Sequence, residues 1–466
     1  MSIKYLVIFS VAFPCTAFSQ ELPPNQTVFF EQDSFIQPKL LLKKTVDKEL
    51  NLSTLPPNSS LEEYINQAII LKDWKELEQL LDRYKQTDNY DHILYEYGLG
   101  ALYRFQGKQK KAIEMYKQII KDNPNLHYPR FDLAMMLFED KQYTQAKNEF
   151  GIVRPFLPTQ MQTLIDQLSS SMKKSQGWQP TVNFNFEKTD NVNQSSNIKE
   201  ISIGDATFIR DKESLPQKAQ GIGYTLNASH EQNFIRNHYA YFSTTLNGIN
   251  YWDNKEFSEQ TLRIDTGYKY KDLKQSFGVI PFMGQNILGN SRYSQNYGAG
   301  LEYNRLLSNR WQVSANTTHI QKRYQDSALA QHYDGHANSQ AALILYQPKS
   351  QLLIYSGVDW MQDRLADEAE SSNKQGIRSG FLYFGDSLGI SANIRYAKRN
   401  FLADNIWYGI HRKDNEYEFG VAAWRKQWQW KGFTPKLNYQ YQKIDSNLPL
   451  YERNNATWFM TIDKIF

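Results

Sequence analysis

Eight histidines are the side chains of this chain best suited to metal binding or general base catalysis. His332 and His336 flank a Tyr-Asp pair and suggest two metal ligands, but no third ligand follows nearby, and a zinc site needs three or four. The acidic run Asp367-Glu368-Ala369-Glu370 suggests calcium, although a solvated loop explains it better. We therefore predict no metal site.

A nucleophilic enzyme is the second possibility. His230, His238 and His319 lie in strand-like segments and invite comparison with a lipase-like serine–histidine pair, but spacing assigns no partner to any of them. Positions in an aromatic belt or a barrel interior explain them better. Cys15 is the only cysteine and lies in a segment that we expect to be removed, which excludes thiol catalysis and cysteine-ligated metals. We predict no enzyme activity and no cofactor.

Composition favours a protein that crosses a membrane with strands. The mean hydropathy is −0.64 and hydrophobic residues make up 41%, and no apolar stretch of about 18 residues follows the N-terminal segment, which excludes a helical membrane protein. Aromatic residues nevertheless reach 14%, with 30 tyrosines and 10 tryptophans. A polar interior, a thin apolar band and aromatic girdles give a barrel this composition. The net charge of +4 comes with no basic tract, so we predict no nucleic-acid partner.

The N-terminal stretch MSIKYLVIFSVAFPCTAFSQ is typical of a secretory signal. A lysine precedes an apolar run, and the small residues Ala17 and Ser19 precede a cut after Ser19. We predict a signal peptide over residues 1–19. A lipoprotein cut before Cys15 is the alternative, but Phe13 and Pro14 fit that signal poorly. Residues 20–58 contain prolines and a mixed composition, and we predict an N-terminal arm there.

A helical repeat follows the arm. Leu99, Gly100, Tyr103, Ala112, Tyr116 and Pro124 recur 34 residues later as Leu133, Ala134, Leu137, Ala146, Phe150 and Pro158. Small residues at these positions let helices approach closely, and the prolines are expected to end the second helix of each repeat. Residues 61–84 indicate an earlier, degenerate repeat, and residues 159–174 a capping helix. The sequence therefore predicts an all-α tetratricopeptide-repeat domain over residues 59–177.

Such stacks bind extended or helical partners on a concave face. The repeat register directs five side chains to that face: Tyr97, Arg104, Phe131, Met135 and Phe138. Aromatic residues and methionine suit an apolar peptide. The alternative is that Phe131 or Phe138 packs against the arm.

Beyond Gly177 the helical period gives way to alternation. In TLRIDTGYKY, one face carries Leu262 and Ile264, and the other carries Arg263 and Asp265. A soluble antiparallel sheet produces the same pattern, so strand count and loop lengths must decide between the two. The predicted inward charges are Arg263, Asp265, Lys269, Arg395 and Glu418. We expect them to line a polar lumen.

Fourteen alternating segments begin near Trp178, Gly221, His238, Glu259, Gln275, Tyr297, Trp311, Gly335, Gln351, Gln375, Leu388, Glu416, Phe433 and Ala456. Short connections such as KDLK, QPKS and QWKG alternate with long ones such as NILGNSRYSQN and RLADEAESSNK. Outer-membrane barrels sort their connections in this way, with short periplasmic turns and long outer loops. The sequence therefore predicts a 14-stranded antiparallel transmembrane β-barrel over residues 178–466, with the repeat domain in the periplasm.

The last segment ends in MTIDKIF and alternates to its final residue. Trp458, Met460, Ile462 and the terminal Phe466 are the expected barrel-assembly signal, because they resemble the closing strand that the insertion machinery recognises.

A signal peptide, a short repeat domain and a fourteen-stranded barrel ending in phenylalanine resemble the surface lipoprotein assembly modulator family, the outer-membrane translocons of the type XI secretion system. The resemblance covers nearly the whole chain beyond the signal and rests on architecture rather than on a short motif. It implies export of a surface lipoprotein, or of a related soluble haem- or iron-scavenging protein, across the Gram-negative outer membrane. The implied partners are this cargo, the barrel-assembly machinery, periplasmic chaperones and the lipid bilayer.

Three other classes stay open on the sequence. A polysaccharide-export porin also joins such repeats to a barrel, although its repeat array is usually longer and its barrel larger. A diffusion porin needs no repeat domain. A barrel enzyme is the third.

Overall fold

The computed structural model describes residues 59–466 apart from 204, 205, 386, 429, 431, 432 and 466. The predicted signal peptide (1–19), with Cys15, and the predicted arm (20–58) lie outside the described residues, as does Phe466.

The N-terminal part is a stack of antiparallel helices. They are α1 Leu61–Leu71, α2 Trp74–Tyr84, α3 His92–Phe105, α4 Gln109–Asp122, α5 His127–Glu139, α6 Tyr143–Val153 and α7 Thr159–Ser175. Ser60 and Glu63 form a capping box that starts α1, and the Asp91 carboxylate accepts hydrogen bonds from two backbone N–H groups at the start of α3. Left-handed residues turn the chain between paired helices: Lys72 (φ 58°), Gly107 (φ 70°) and Lys141 (φ 64°). The predicted helical repeat is confirmed.

Small side chains set the helix spacing. A β-carbon on Gly100 would lie 2.4 Å from the Tyr116 ring, so α3 and α4 approach only because this position is glycine. Ala112, Ala134 and Ala146 are fully buried at the corresponding contacts. The predicted role of these small residues is therefore confirmed by the packing.

The prediction that Pro158 ends the second helix of its repeat was wrong. Helix α6 already ends at Val153, and a single 3₁₀ turn spans Arg154–Phe156. Pro155 within that turn lacks an N–H, and its ring would clash with the carbonyl of Gly151 in a continued helix. Pro158 instead lies at the N-cap of α7.

The C-terminal part is a closed antiparallel barrel of fourteen strands within the described residues. They are β1 Gln179–Thr189, β2 Ala219–Ile235, β3 His238–Tyr251, β4 Glu259–Lys271, β5 Gln275–Leu288, β6 Ser291–Leu306, β7 Trp311–Tyr324, β8 Gly335–Lys349, β9 Leu352–Leu365, β10 Ser372–Phe384, β11 Leu388–Asp404, β12 His411–Arg425, β13 Thr434–Ser446 and β14 Arg453–Ile465. Strand β14 pairs with β13 and also with β1, from Thr181 opposite Ile465 to Thr189 opposite Thr457. The predicted closing strand is confirmed, and the barrel has no free edge.

Exposure alternates along the strands. Ile394 is 58% exposed, whereas the side chain of its neighbour Arg395 is 10% exposed. Large apolar side chains are thus displayed outward and charged side chains inward, which is the arrangement that a lipid-facing barrel wall requires. Among the described residues, the helices are too short or too polar to cross a membrane.

The barrel has two rims. The near rim carries the turns that follow β2, β4, β6, β8, β10 and β12, together with the start of β1 and the end of β14. The far rim carries the other connections, which include two short strands, Glu200–Ile203 and Ala206–Ile209, and a helix, α8 Ser327–Tyr333.

The predicted sorting of loop lengths fails at the connection between β5 and β6. NILGNSRYSQN, expected to be a long loop, is a tight hairpin: only Gly289 (φ 54°) and Asn290 (φ 68°) join β5 to β6. Both central residues have positive φ, as a type I′ turn requires, so glycine followed by asparagine ends the loop early. QWKG, expected to be a short turn, spans residues 429–432 and lies outside the described residues apart from Trp430.

The helical stack is docked on the near rim. The Asn237 side chain, in the β2–β3 turn, donates to the Asp140 carbonyl at 2.6 Å, and the Leu273 N–H, in the β4–β5 turn, donates to the Asp140 carboxylate at 3.3 Å. The Tyr239 hydroxyl donates to the Lys141 carbonyl, and Thr144 hydrogen-bonds Asn233. The turn between α5 and α6 thus contacts two barrel turns and fixes the stack on the barrel.

Candidate functional site

The inner wall near the near rim is organised around one buried ammonium. Lys269 on β4 lies 3.1 Å from the Glu231 carboxylate on β2 and 3.0 Å from the Glu302 carboxylate on β6. Its Nζ also lies 3.9 Å from the centroid of the Tyr241 ring on β3. A single positive charge therefore connects strands from β2 to β6.

A glycine makes this connection possible. Lys269, Gly278 and Glu302 occupy one row across β4, β5 and β6. A β-carbon on Gly278 would lie 2.7 Å from Glu302 Cγ, so the glutamate reaches Lys269 by passing over the bare backbone of β5. The row explains why a glycine stands in the middle of a strand, where it is otherwise unfavourable.

A second charged cluster, on the opposite side of the barrel, is built in a similar way. Arg395 on β11 lies 2.6 Å from Asp359 on β9 and 3.0 Å from Glu418 on β12. Asp359 crosses β10 at Gly376, where a β-carbon would lie 2.8 Å from its carboxylate, and it also pairs with Arg378 at 3.1 Å. Asp359 and Arg395 thus pair across the intervening strand β10, whereas Glu418 and Arg378 lie on strands adjacent to those of their partners.

Three further pairs skip one strand in the same way. They are Lys322–Asp363 at 3.6 Å, Arg399–Asp363 at 2.9 Å and Lys374–Glu416 at 3.2 Å. Inward side chains of a closed barrel converge toward its axis, so partners two strands apart come within reach on this face and diverge on the outer face. These ion pairs therefore identify which side chains face the barrel interior, without reference to how exposed each side chain is.

All five side chains predicted to line the lumen lie on the inner face. Arg263 pairs with Asp265 at 2.8 Å and its guanidinium lies 3.8 Å from the centroid of the Phe282 ring. Lys269 belongs to the first cluster, and Arg395 and Glu418 belong to the second. Sequence reasoning missed Glu231, Glu302 and Asp359, because their partners are distant in sequence. For Glu302 and Asp359, the glycines opposite them, Gly278 and Gly376, are the signal that alternation alone overlooks.

The five side chains predicted for the concave face lie on α3 and α5, and all are half-buried. Two contacts tie these helices together: the Tyr97 hydroxyl donates to Asp132 at 2.7 Å, and Arg104 pairs with Glu139. Burial raises the pKa of Tyr97 and that of Asp132. Phe131, Met135 and Phe138 pack against the core of the stack, so they present edges rather than whole side chains.

Two side chains in the turn between α5 and α6, which contacts the barrel, have shifted pKa values. Burial raises the pKa of Asp140, whose carboxylate accepts hydrogen bonds from Gln142 and Asn237. Burial, together with the nearby charge of Lys271, lowers the pKa of Lys141 to about 8. Asp140 is 2% exposed and Lys141 is half-buried, so both lie at least partly within the contact between the stack and the barrel.

The surroundings of the histidines weighed in the sequence analysis differ from one to the next. His332 contacts Asp367 at 2.9 Å on the exposed far rim, while the His336 ring lies 5.6 Å from that of His319. Among the described residues, no three potential ligands converge to hold a metal ion. His230 stacks on Trp178 at 5.2 Å, an aromatic-belt contact.

One pentapeptide, Gly385–Gly389, fits the Gly-X-Ser-X-Gly pattern of hydrolase nucleophiles and escaped the sequence reasoning. That motif requires a strand-to-helix turn. Here it connects β10 to β11, and Ser387 is exposed at the near rim. The structural context of a hydrolase is therefore missing.

The closing strand displays its apolar residues outward at Trp458 and Met460, which are 54% and 45% exposed. Ile462 pairs with Phe184 of β1. The expected assembly signal thus coincides with the strand that seals the barrel, except for Phe466, which is not described.

Two family models match the chain. The model described as surface lipoprotein assembly modifier covers residues 178–466, and the model for the N-terminal TPR repeats of the same family covers residues 49–150. The family is described as an assembly modifier and not as an enzyme.

Curated relatives agree with this match. The surface lipoprotein assembly modifier of Pasteurella multocida is 27% identical over 480 residues, covering 97% of this chain and 92% of the relative. The hemophilin secretion modulator of Acinetobacter baumannii is 24% identical over 467 residues, covering 96% of this chain and 91% of the relative. Among solved structures, the P. putida toluene transporter TodX is 9% identical with a TM-score of 0.36, covering 62% of this chain and 90% of that one.

The glycine row yields a prediction about the barrel wall. Gly278→Ala should displace Glu302 from Lys269 and destabilise the barrel by about 1–3 kcal/mol, the usual cost of overpacking. The measurement is the temperature at which the barrel loses its heat-modifiable, fast-migrating form on gels.

The matched control is Gly284→Ala, on the same face of β5, where the nearest atom would lie 3.4 Å from the new β-carbon. Its transition temperature should stay close to that of the unmodified chain. Equal transition temperatures for both variants would show that the row is incidental.

Proposed function

The chain belongs to the surface lipoprotein assembly modifier family, and from that premise we propose that it is an outer-membrane translocon that exports a protein cargo. The cargo is a surface lipoprotein or a related soluble haem- or iron-scavenging protein. The names of the Pasteurella and Acinetobacter relatives support both kinds of cargo. The chain itself is an outer-membrane β-barrel with tetratricopeptide repeats.

The observation that carries the proposal is the dock between the repeat stack and the near rim. Asp140 joins the β2–β3 and β4–β5 turns to one helix turn, so α3 and α5 are fixed beside the mouth of the barrel. A diffusion pore gains nothing from a stack anchored there. A cargo receptor does, because a captured partner is delivered at the entrance.

In this proposal the near rim and the repeat stack lie in the periplasm, and the far rim faces outside. The face formed by Tyr97, Arg104, Phe131, Met135 and Phe138 captures the cargo. Half-burial lets these side chains offer a firm surface at little entropic cost. Arg104 and Glu139, about one-third exposed, supply its charged part.

The inner wall is the proposed path. Each cluster combines both charge signs, so a passing chain meets neutralised pairs and not a field of one sign. Such a wall supports passage of a polar protein chain without selecting a small ion. Catalysis has no part in this function.

Protein cargo is favoured over polysaccharide, because both matching family models name surface lipoproteins.

We also propose that periplasmic chaperones deliver the unfolded barrel and that the barrel-assembly machinery recognises the closing strand through Trp458, Met460 and Ile462, together with Phe466. The lipid bilayer contacts the outward apolar side chains.

Orientation can be tested with cysteines, since the chain carries none beyond Cys15. Ile406→Cys, on the far rim at a residue that is 86% exposed, should react with a membrane-impermeant maleimide on intact cells. Asn309→Cys, in the near-rim turn after β6, should react only after the outer membrane is permeabilised. Labelling of Asn309→Cys alone on intact cells would invert the proposed orientation.

The receptor face is best tested by a charge swap, because truncating half-buried side chains would also disturb the stack. Arg104→Glu combined with Glu139→Arg keeps an ion pair and reverses its polarity. The cargo is defined as the proteins that protease releases from intact cells only when the translocon is present. We expect mass spectrometry to show a several-fold loss of these proteins in the swapped variant, while the amount of barrel in the outer membrane stays normal.

The matched control is the swap of an exposed pair away from α3 and α5. Arg154→Asp with Asp166→Arg exchanges two partners 2.8 Å apart that are about half exposed. This variant should export normally. Normal export by the Arg104–Glu139 swap as well would remove this face from cargo recognition.

A further inference from the structure

The edge of the stack that touches the barrel continues beyond the barrel. The turns between paired helices, at Lys72, Gly107 and Lys141, repeat along this edge. The Lys141 turn is hydrogen-bonded to the β2–β3 turn through Tyr239. The ammonium of Lys274, in the β4–β5 turn, lies against the Gly107 turn.

The middle turn already overhangs the outer side of the barrel wall. Lys110, at the start of α4, lies 5.9 Å from the centroid of the Tyr270 ring. Tyr270 faces outward, because its neighbours Lys269 and Lys271 both reach inward to Glu231. Phe277, opposite Tyr270 on β5, is 39% exposed on this outer surface.

The first turn, one helix pair further along, carries an exposed apolar cluster. Ile70, Leu71 and Phe105 are 60%, 53% and 60% exposed, and the rings of Trp74 and Phe105 stack at 5.0 Å. We call these four residues the first-turn patch.

Position in the repeat shows what this patch is equivalent to. Trp74, Gln109 and Tyr143 are each the first residue of the second helix in a pair. Tyr143 meets the barrel through Tyr239, with ring centroids 6.3 Å apart. Trp74 is its counterpart at the distal end of the same edge.

We propose that the first-turn patch inserts into the membrane leaflet beside the near rim and anchors the distal end of the repeat stack to lipid. Tryptophan and phenylalanine favour the interface between headgroups and acyl chains. Lys72, Lys75 and Lys108 are close in sequence to the patch residues and are exposed, and lysine side chains can lay their apolar stems along a lipid surface while the ammonium groups stay at the headgroups.

The anchor depends on apolar contact more than on lipid charge. Two carboxylates share the first turn with the lysines: Asp73, which caps α2 by accepting from the Glu76 N–H at 3.0 Å, and Glu76 itself. The partner is therefore a phospholipid surface in general and not a particular anionic headgroup. The proposal rests on the outer-membrane location and is independent of the cargo.

Lipid-borne quenchers test the anchor on the full chain in vesicles of phosphatidylethanolamine and phosphatidylglycerol. Leu71→Cys and the control Ile152→Cys, 52% exposed near the end of α6, are each labelled with a small fluorophore. With nitroxide-bearing lipid, the Leu71 label should lose most of its fluorescence while the Ile152 label keeps it.

Iodide separates the remaining outcomes. A Leu71 label quenched by iodide and not by lipid lies in water, and one quenched by neither is covered by protein; either result would overturn the anchor. Adding Phe105→Ser to Leu71→Cys should weaken lipid quenching while the helical circular dichroism stays unchanged. Unchanged quenching in that variant would contradict the role of the stacked aromatic pair.

Discussion

Buried charged side chains on the inner wall of the barrel need partners of opposite charge, and several of them find that partner two strands away. Lys269 between Glu231 and Glu302, and Arg395 between Asp359 and Glu418, meet this constraint on opposite parts of the wall. Leaving one such charge unpaired would cost about 3–5 kcal/mol. Gly278 and Gly376 are required where a carboxylate crosses the intervening strand. The rest of the wall depends on these rows, because they bring non-adjacent strands into one register.

A small number of contacts also holds the helical stack on the barrel. Asp140 and Lys141 belong to the turn between α5 and α6, and both are desolvated where they meet the β2–β3 and β4–β5 turns. A stack fixed through its turns leaves α3 and α5 free to present a continuous face. In the proposed function, the helices capture the cargo, the inner wall lets it pass, and the turns that join stack and barrel position the one relative to the other.

The sequence predicts the fold well because both periods are local. The 34-residue recurrence places Gly100 and Ala134 at helix contacts, and alternation places fourteen strands. It fails where a short-range preference overrides the pattern: the Gly289–Asn290 pair closes a hairpin that looked like a loop, and Pro155 ends α6 before Pro158 does. The inward charges are recoverable from alternation, including the partners Asp265 and Glu418, which lie on the same or an adjacent strand. Partners two strands away are not recoverable, since pairing across a skipped strand depends on barrel curvature and on a glycine in another segment. Half-burial of Phe131 and Met135 likewise depends on how neighbouring helices pack.

If the repeat stack acts as a receptor while fixed to the near rim, locking it there should leave export intact. Lys110→Cys and Tyr270→Cys place two cysteines across the junction, where a short bis-maleimide can lock it. Locked chains should still display their protein cargo on the cell surface, at the level of the two single-cysteine variants treated with the same reagent. Loss of display on crosslinking, with the single variants unaffected, would show that the stack must leave the rim and would contradict the account.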